Sequence, residues 1–197
     1  MKKKIENLKG NALKVLIFIG ILWGIKIFDT IVPIDLSNFG IVPRTIRGLA
    51  GILFAPFLHA NYFHLMSNTI PAFVLLLVLI LFYKKESPIV ILLSIVMGGA
   101  LVWIFGRSAS HVGISGLIYS MAAFLITAGF IKKDIKSLLL SIVIIVLYGG
   151  LIWGIFPGRF WISWEGHFFG AIVGVVIAFY LFRKKDDNTI SNKEFEA

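Results

Sequence analysis

The constraint that most limits what this chain can become is a series of apolar stretches, each long enough to cross a bilayer, with little sequence left between them. A helix needs roughly 20 mostly apolar residues to cross the hydrocarbon core, and about 17 suffice. Residues 13–32, 63–83, 88–105, 115–131, 137–156 and 166–182 meet that length. Hydrophobic residues make up 58% of the chain and charged residues 15%, too oily a balance for a soluble domain of 197 residues. The expected fold class is an all-α polytopic membrane protein, a bundle of six transmembrane helices. Residues 13–182 form this membrane domain, with a cytoplasmic N-terminal segment at 1–12 and a polar, disordered cytoplasmic tail at 183–197.

Basic residues orient the bundle. With six spans, Lys2–Lys4, Lys9 and Lys14 share a side with Lys84, Lys85, Lys132, Lys133, Lys136 and the Arg183–Lys185 cluster. The opposite side holds only Arg44, Arg47, Arg107 and Arg159, with Lys26 near the boundary. The positive-inside rule then puts both termini in the cytoplasm. Short loops and the absence of an organelle transit sequence set the expectation of a bacterial inner (cell) membrane. The net charge of +9 reflects this topology and contact with acidic lipid, so no nucleic-acid partner is expected. The first span carries Lys26 and Asp29, three apart on one helix face and able to pair. No A-x-A-like site follows it, so it is expected to remain as an anchor. With no cysteine, neither a disulfide framework nor a cysteine metal site is available.

In this topology spans two, four and six all run from outside to inside. His64 and Asn68 lie in the outer turns of span two, Ser115 begins span four and His167 begins span six. A serine and a histidine, the groups that make and activate a nucleophile, can therefore meet at one depth. Gly166, Gly170, Gly174 and Ala178 recur every four residues on span six. Gly116, Ser120, Ala123 and Thr127 make a similar small-residue stripe on span four. Such stripes let helix backbones approach closely, as a direct Ser–His hydrogen bond requires. Taken alone, a G-x-x-x-G pattern only packs helices.

These residues resemble the rhomboid family of intramembrane serine proteases. The nucleophile motif G-x-S-G, with a tyrosine four residues after the serine, appears as Gly113-Ile114-Ser115-Gly116-Leu117-Ile118-Tyr119. Gly166-His167 leads into the glycine stripe, and His59, His64 and Asn68 fit the second-helix pattern H-x-x-x-x-H-x-x-x-N. The resemblance implies a six-helix rhomboid-like bundle in which Ser115 is the nucleophile, His167 the general base and Tyr119 the aromatic that orients the His167 ring. It implies an oxyanion hole made of His64, Asn68 and the backbone N–H of Ser115. It also implies an intramembrane serine endopeptidase that cuts the transmembrane segments of single-span proteins, which carry small residues at the scissile bond. The alternative is a non-catalytic rhomboid-like protein that binds transmembrane helices.

Two departures stand out. The loop at 33–62, apolar at 46–58 and suited to lying half-embedded in the outer leaflet, has no Trp-Arg element; Arg44 or Arg47 is the candidate substitute. Phe169 stands where a small residue is usual. In the loop entering span six, Phe160, Trp161 and Trp164 form an aromatic belt and a candidate substrate gate. Glu165 is two residues from His167 and faces elsewhere on the helix, so a Ser–His dyad is expected rather than a triad. His59 is expected to support the first loop, and His111 to hydrogen-bond near the Ser115 turn without being the base. All four histidines fall on the outer side, but without an H-E-x-x-H pair no metal and no cofactor is expected.

Overall fold

The computed structural model of the chain describes residues 2–158 and 161–195. Its α-helices are α1 (Lys2–Ile31), α2 (Ile46–Phe54), α3 (Tyr62–Phe82), α4 (Ser87–Phe105), α5 (Ser115–Lys132), α6 (Ile135–Tyr148) and α7 (Trp164–Phe195). Six stretches are long and apolar enough to cross a membrane: Ile5–Ile31, Tyr62–Phe82, Ser87–Phe105, Ser115–Lys132, Ile135–Ile155 and Trp164–Arg183. The fifth is α6 continued by a 3₁₀ segment, Gly149–Ile155. No strand occurs among the described residues, only one antiparallel bridge between Ile41 and His111. The protein is an all-α membrane bundle. Helices α1 and α7 run beyond residues 13 and 182, because hydropathy marks the membrane's edge and not the helix's end.

Local chemistry explains where the helices start. Asn61 caps α3 by accepting from the His64 backbone N–H at 2.8 Å, and Asp134 caps α6 by accepting from Ser137 N–H at 2.9 Å. Thr45 does the same for α2 through Gly48 N–H at 3.0 Å. Each cap is worth about 1 kcal/mol and sets the register of the helix behind it. For α3 that register decides where His64 and Asn68 point.

Helix α5 is the centre of the bundle: 61% of its span is buried, against 17% for the first and fifth spans. Phe124, Leu125, Met121 and Ala128 on α5 are fully enclosed, packed with Leu65, Leu75 and Leu79 of α3. The contact between α5 and α7 is made at backbone level. A Cβ on Gly170 would collide with the Gly116 carbonyl oxygen, and one on Gly174 would collide with that of Ser120. Ser94 of α4 and Ser120 of α5 share a buried hydrogen bond of 2.7 Å, an association typical of helices in lipid.

The loop between α1 and α3 is fastened at both ends. Lys26 and Asp29 pair at 2.5 Å as expected, and Asp29 also accepts from the Leu36 backbone N–H at 2.7 Å. Arg44, with φ of 60°, donates to the Ile104 and Gly106 carbonyls at 3.0 and 2.8 Å. Trp103 of α4 donates its indole N–H to the Thr45 carbonyl at 2.8 Å. An arginine and a tryptophan do secure this loop, but they are 59 positions apart in sequence and meet only in the fold. Arg47 has a lesser part, donating to the Asn38 carbonyl at 2.6 Å across the Phe39 ring.

Candidate active site

Ser115 is the first residue of α5, so its backbone N–H lies outside the helix's own hydrogen-bond ladder. His167 is in the first turn of α7, which begins beside it because those two helices touch along their glycines. The Ser115 Oγ and His167 Nε2 are 2.9 Å apart. His167 Nδ1 lies 3.0 Å from the Gly154 carbonyl oxygen. A carbonyl can only accept, so this contact is a hydrogen bond when Nδ1 carries the proton, the tautomer that leaves Nε2 to accept from the serine hydroxyl. Tyr119, one turn below Ser115, stacks on the imidazole with ring centroids 4.2 Å apart and planes within 5°.

The turn before Ser115 is shaped by Gly113, whose φ of +113° lies in the region open to glycine. A Cβ there would also come within 2.6 Å of the His64 ring and 3.7 Å of Asn68 Nδ2. His64 and Asn68 therefore border the Ser115 turn. Asn68 is 7% exposed, and its Nδ2 has no hydrogen-bond partner among the described residues. Leaving a buried donor unsatisfied costs about 1–3 kcal/mol, which directs attention to a group that would arrive from outside the protein. A cavity of about 60 Å³ adjoins Ser115, Gly116, His111 and Ser163, enough to admit water.

Several neighbours act as supports. Ser163 accepts from Gly166 N–H at 3.3 Å and so caps α7. Its Oγ also lies 2.7 Å from His111 Nδ1, while His111 Nε2 lies 3.0 Å from the Arg107 carbonyl. His111 thus braces the start of α7 rather than the serine turn. Glu165 is 3% exposed and directed to Arg107, whose backbone N–H it accepts at 3.3 Å and whose guanidinium is 3.7 Å away. It does not address His167. Phe169 packs edge-on against Phe168 and at a tilt against Phe105, beside the small apolar cluster of Ile41, Ala55 and Val102. Trp161 is 67% exposed, Trp164 contacts Phe168, and Phe160 lies outside the described residues. Among the described residues no three histidine, aspartate or glutamate side chains cluster as metal ligands do.

His59 is buried at 3% exposure with its ring edge-on to His64. Burial, with the nearby His64 and Lys26 as smaller contributions, pushes its pKa from 6.5 down to about 3, against a weak opposing pull from the Phe57 backbone. Burial lowers His111 as well. The unfolded chain therefore binds protons that the folded one refuses. Stability is full above about pH 6.5 and falls as the pH drops toward 3, by up to about 1.4 kcal/mol per unit for each such group. Thermal unfolding in detergent between pH 7.5 and 5 should show this slope, and His59→Gln should flatten it. Equal slopes in parent and variant would refute the assignment.

Gly154 and Ser163 are unforeseen members of the site, and Trp103 is an unforeseen anchor of the neighbouring loop. Gly154 and Trp103 contribute through contacts that no local motif encodes, whereas Ser163, three residues before Gly166, could have been read as a helix cap.

Comparison with known proteins agrees with the architecture. An uncharacterized protein of Mycobacterium tuberculosis is 35% identical over 176 residues, covering 85% of this chain and 73% of its own. One from Mycobacterium leprae is 36% identical over 181 residues, covering 87% and 71%. No solved structure matches. The family model described as Rhomboid domain matches residues 47–184, the stretch that runs from the anchored loop through the last span. With that match laid over five of the six spans and the whole Ser115–His167 neighbourhood, the chain belongs to the rhomboid family.

Proposed function

We propose that this protein is an intramembrane serine endopeptidase that cleaves the transmembrane segments of membrane-protein substrates through a Ser115–His167 dyad. The observation that carries the reading is the 2.9 Å Ser115–His167 contact, with the ring held by Tyr119 on its face. His167 Nε2 takes the hydroxyl proton as Oγ attacks the scissile carbonyl carbon. The resulting oxyanion is received by the Ser115 N–H, Asn68 Nδ2 and His64. His167 then returns the proton to the leaving amine, and water drawn from the adjoining cavity hydrolyses the acyl-enzyme, with His167 again as base.

The substrates of this reading are single-span proteins with small residues at the scissile bond and a weak helix around it. A helix has to unwind before its amide reaches a serine, so residues that destabilise it lower the barrier. Both termini lie in the cytoplasm, and the site faces the outer side of a bacterial inner membrane. In this reading the aromatics of the loop before α7 are the substrate gate. Replacing Phe160 and Trp161 with alanine should change cleavage kinetics without loss of fold; identical kinetics would eliminate the gate.

Asn68→Ala removes one preorganised oxyanion donor. The expected result is a fall in kcat of about 10²–10³-fold with little change in KM. Retention of parental kcat would exclude Asn68 from the oxyanion hole.

The test of the function itself uses a fluorophosphonate probe on the purified, folded protein, with the adduct located by mass spectrometry. A covalent adduct on Ser115 supports an activated serine. An unlabelled but folded protein, or labelling at another residue, would overturn the reading in favour of a helix-binding, non-catalytic rhomboid.

A further inference from the structure

We propose that Gly154 is a positioning residue for His167, acting from the ring edge opposite Ser115; this rests on the dyad reading above. Among the described residues no carboxylate reaches His167, since Glu165 is engaged with Arg107. Something else has to select the tautomer, because an imidazole protonated at Nε2 could not take the serine's proton.

The Gly154 carbonyl has the geometry for this work. It belongs to the 3₁₀ segment Gly149–Ile155 that completes the fifth span. The last carbonyls of a helical segment lack partners within it. This one lies 3.0 Å from His167 Nδ1 and binds the N–H there, leaving Nε2 bare toward Ser115. Tyr119 and Gly154 divide the task of holding the ring. Stacking fixes the imidazole plane, but a ring can still turn over within a stack. The Nδ1–H···O bond removes that freedom, because a turned ring presents carbon to the carbonyl.

The residue type is as constrained as the carbonyl. A Cβ at position 154 would collide with the Tyr119 hydroxyl and lie 3.2 Å from His167 Nδ1. Only glycine brings this backbone onto the Tyr119–His167 stack. Gly150, one turn earlier in the same segment, meets nothing within 4 Å of the equivalent position, so it supplies a matched control.

The test uses the full chain in detergent and two readouts. The first is the ¹⁵N spectrum of the parent's histidines at alkaline pH, with the His167 signals identified by their absence in His167→Gln. The expected tautomer is Nδ1–H with Nε2 unprotonated; an Nε2–H tautomer overturns the proposal. The second is the rate of fluorophosphonate labelling. Gly154→Ala should react about 10²-fold more slowly through its maximal rate, with unchanged non-covalent probe affinity, because misplacing a reacting group by an ångström costs about that much. Gly150→Ala should react like the parent. Parental labelling by Gly154→Ala also overturns the proposal. If Gly154→Ala does not fold, the parent's tautomer decides. If the parent is not labelled at all, the dyad reading fails, and the tautomer still decides whether Gly154 orients the ring.

Discussion

Alanine at Ser115 or at His167 is expected to lower kcat/KM for a transmembrane reporter substrate by on the order of 10⁴-fold or more, with the fold retained. Without Oγ no acyl-enzyme forms, and without the imidazole the hydroxyl keeps its proton; a general base of this kind contributes roughly 10²–10⁴-fold. The two side chains share one 2.9 Å hydrogen bond, and in the proposed mechanism they act in one step. Their effects should therefore not add: the Ser115→Ala, His167→Ala double variant should be no slower than the worse single variant. Thermal stability should change little, because one such hydrogen bond is worth about 1 kcal/mol net. A double variant slower by the product of both single effects would mean that the residues work independently, and the dyad would be lost as an explanation.

How far this arrangement could be read in advance depended on whether its cause was local. The spans were legible because bilayer thickness sets a length that hydropathy reports directly, and both ends of five of them lie within two residues of the helices' membrane-crossing parts. The start of the first was not, since α1 continues through the polar residues before it. Ser115, His167 and Asn68 were legible because the spacing, span direction and small-residue stripes all placed them at one end of three parallel helices. Gly154 was hidden: what it offers is a carbonyl oxygen, which every residue possesses, at a position set by how α6 ends. Trp103 was hidden for a related reason. The loop's tryptophan was sought beside Arg44, but the fold supplies it from α4. Chemistry carried by one helix face can be read from a chain; chemistry assembled from backbone atoms of one element and side chains of another has to be seen.

The glycines between α5 and α7 carry the second large expectation. Gly170→Val should abolish activity and either prevent folding or lower the melting temperature markedly, whereas Gly24→Val should leave both near parental values. At Gly170 an added Cβ would collide with the Gly116 carbonyl oxygen, and it would lie only 3.0 and 3.2 Å from the Gly116 carbonyl carbon and Cα. These are backbone atoms of the central helix and cannot rotate aside, so the helices must separate. At Gly24 the same Cβ meets nothing within 4 Å. Overpacking of this kind costs about 1–3 kcal/mol or more, and in lipid no hydrophobic gain offsets the lost helix contact. The consequence for catalysis is geometric. Gly116 adjoins Ser115 in sequence, and Gly170 lies one turn after His167, so displacement at this contact is transmitted to the 2.9 Å Ser115–His167 hydrogen bond. An ångström there is worth about 10²-fold in rate. The measurements are the melting temperature in detergent and the fluorophosphonate labelling rate of Gly170→Val beside Gly24→Val. Equal values for the two variants would show that close approach of α5 and α7 is not what holds the serine to its base.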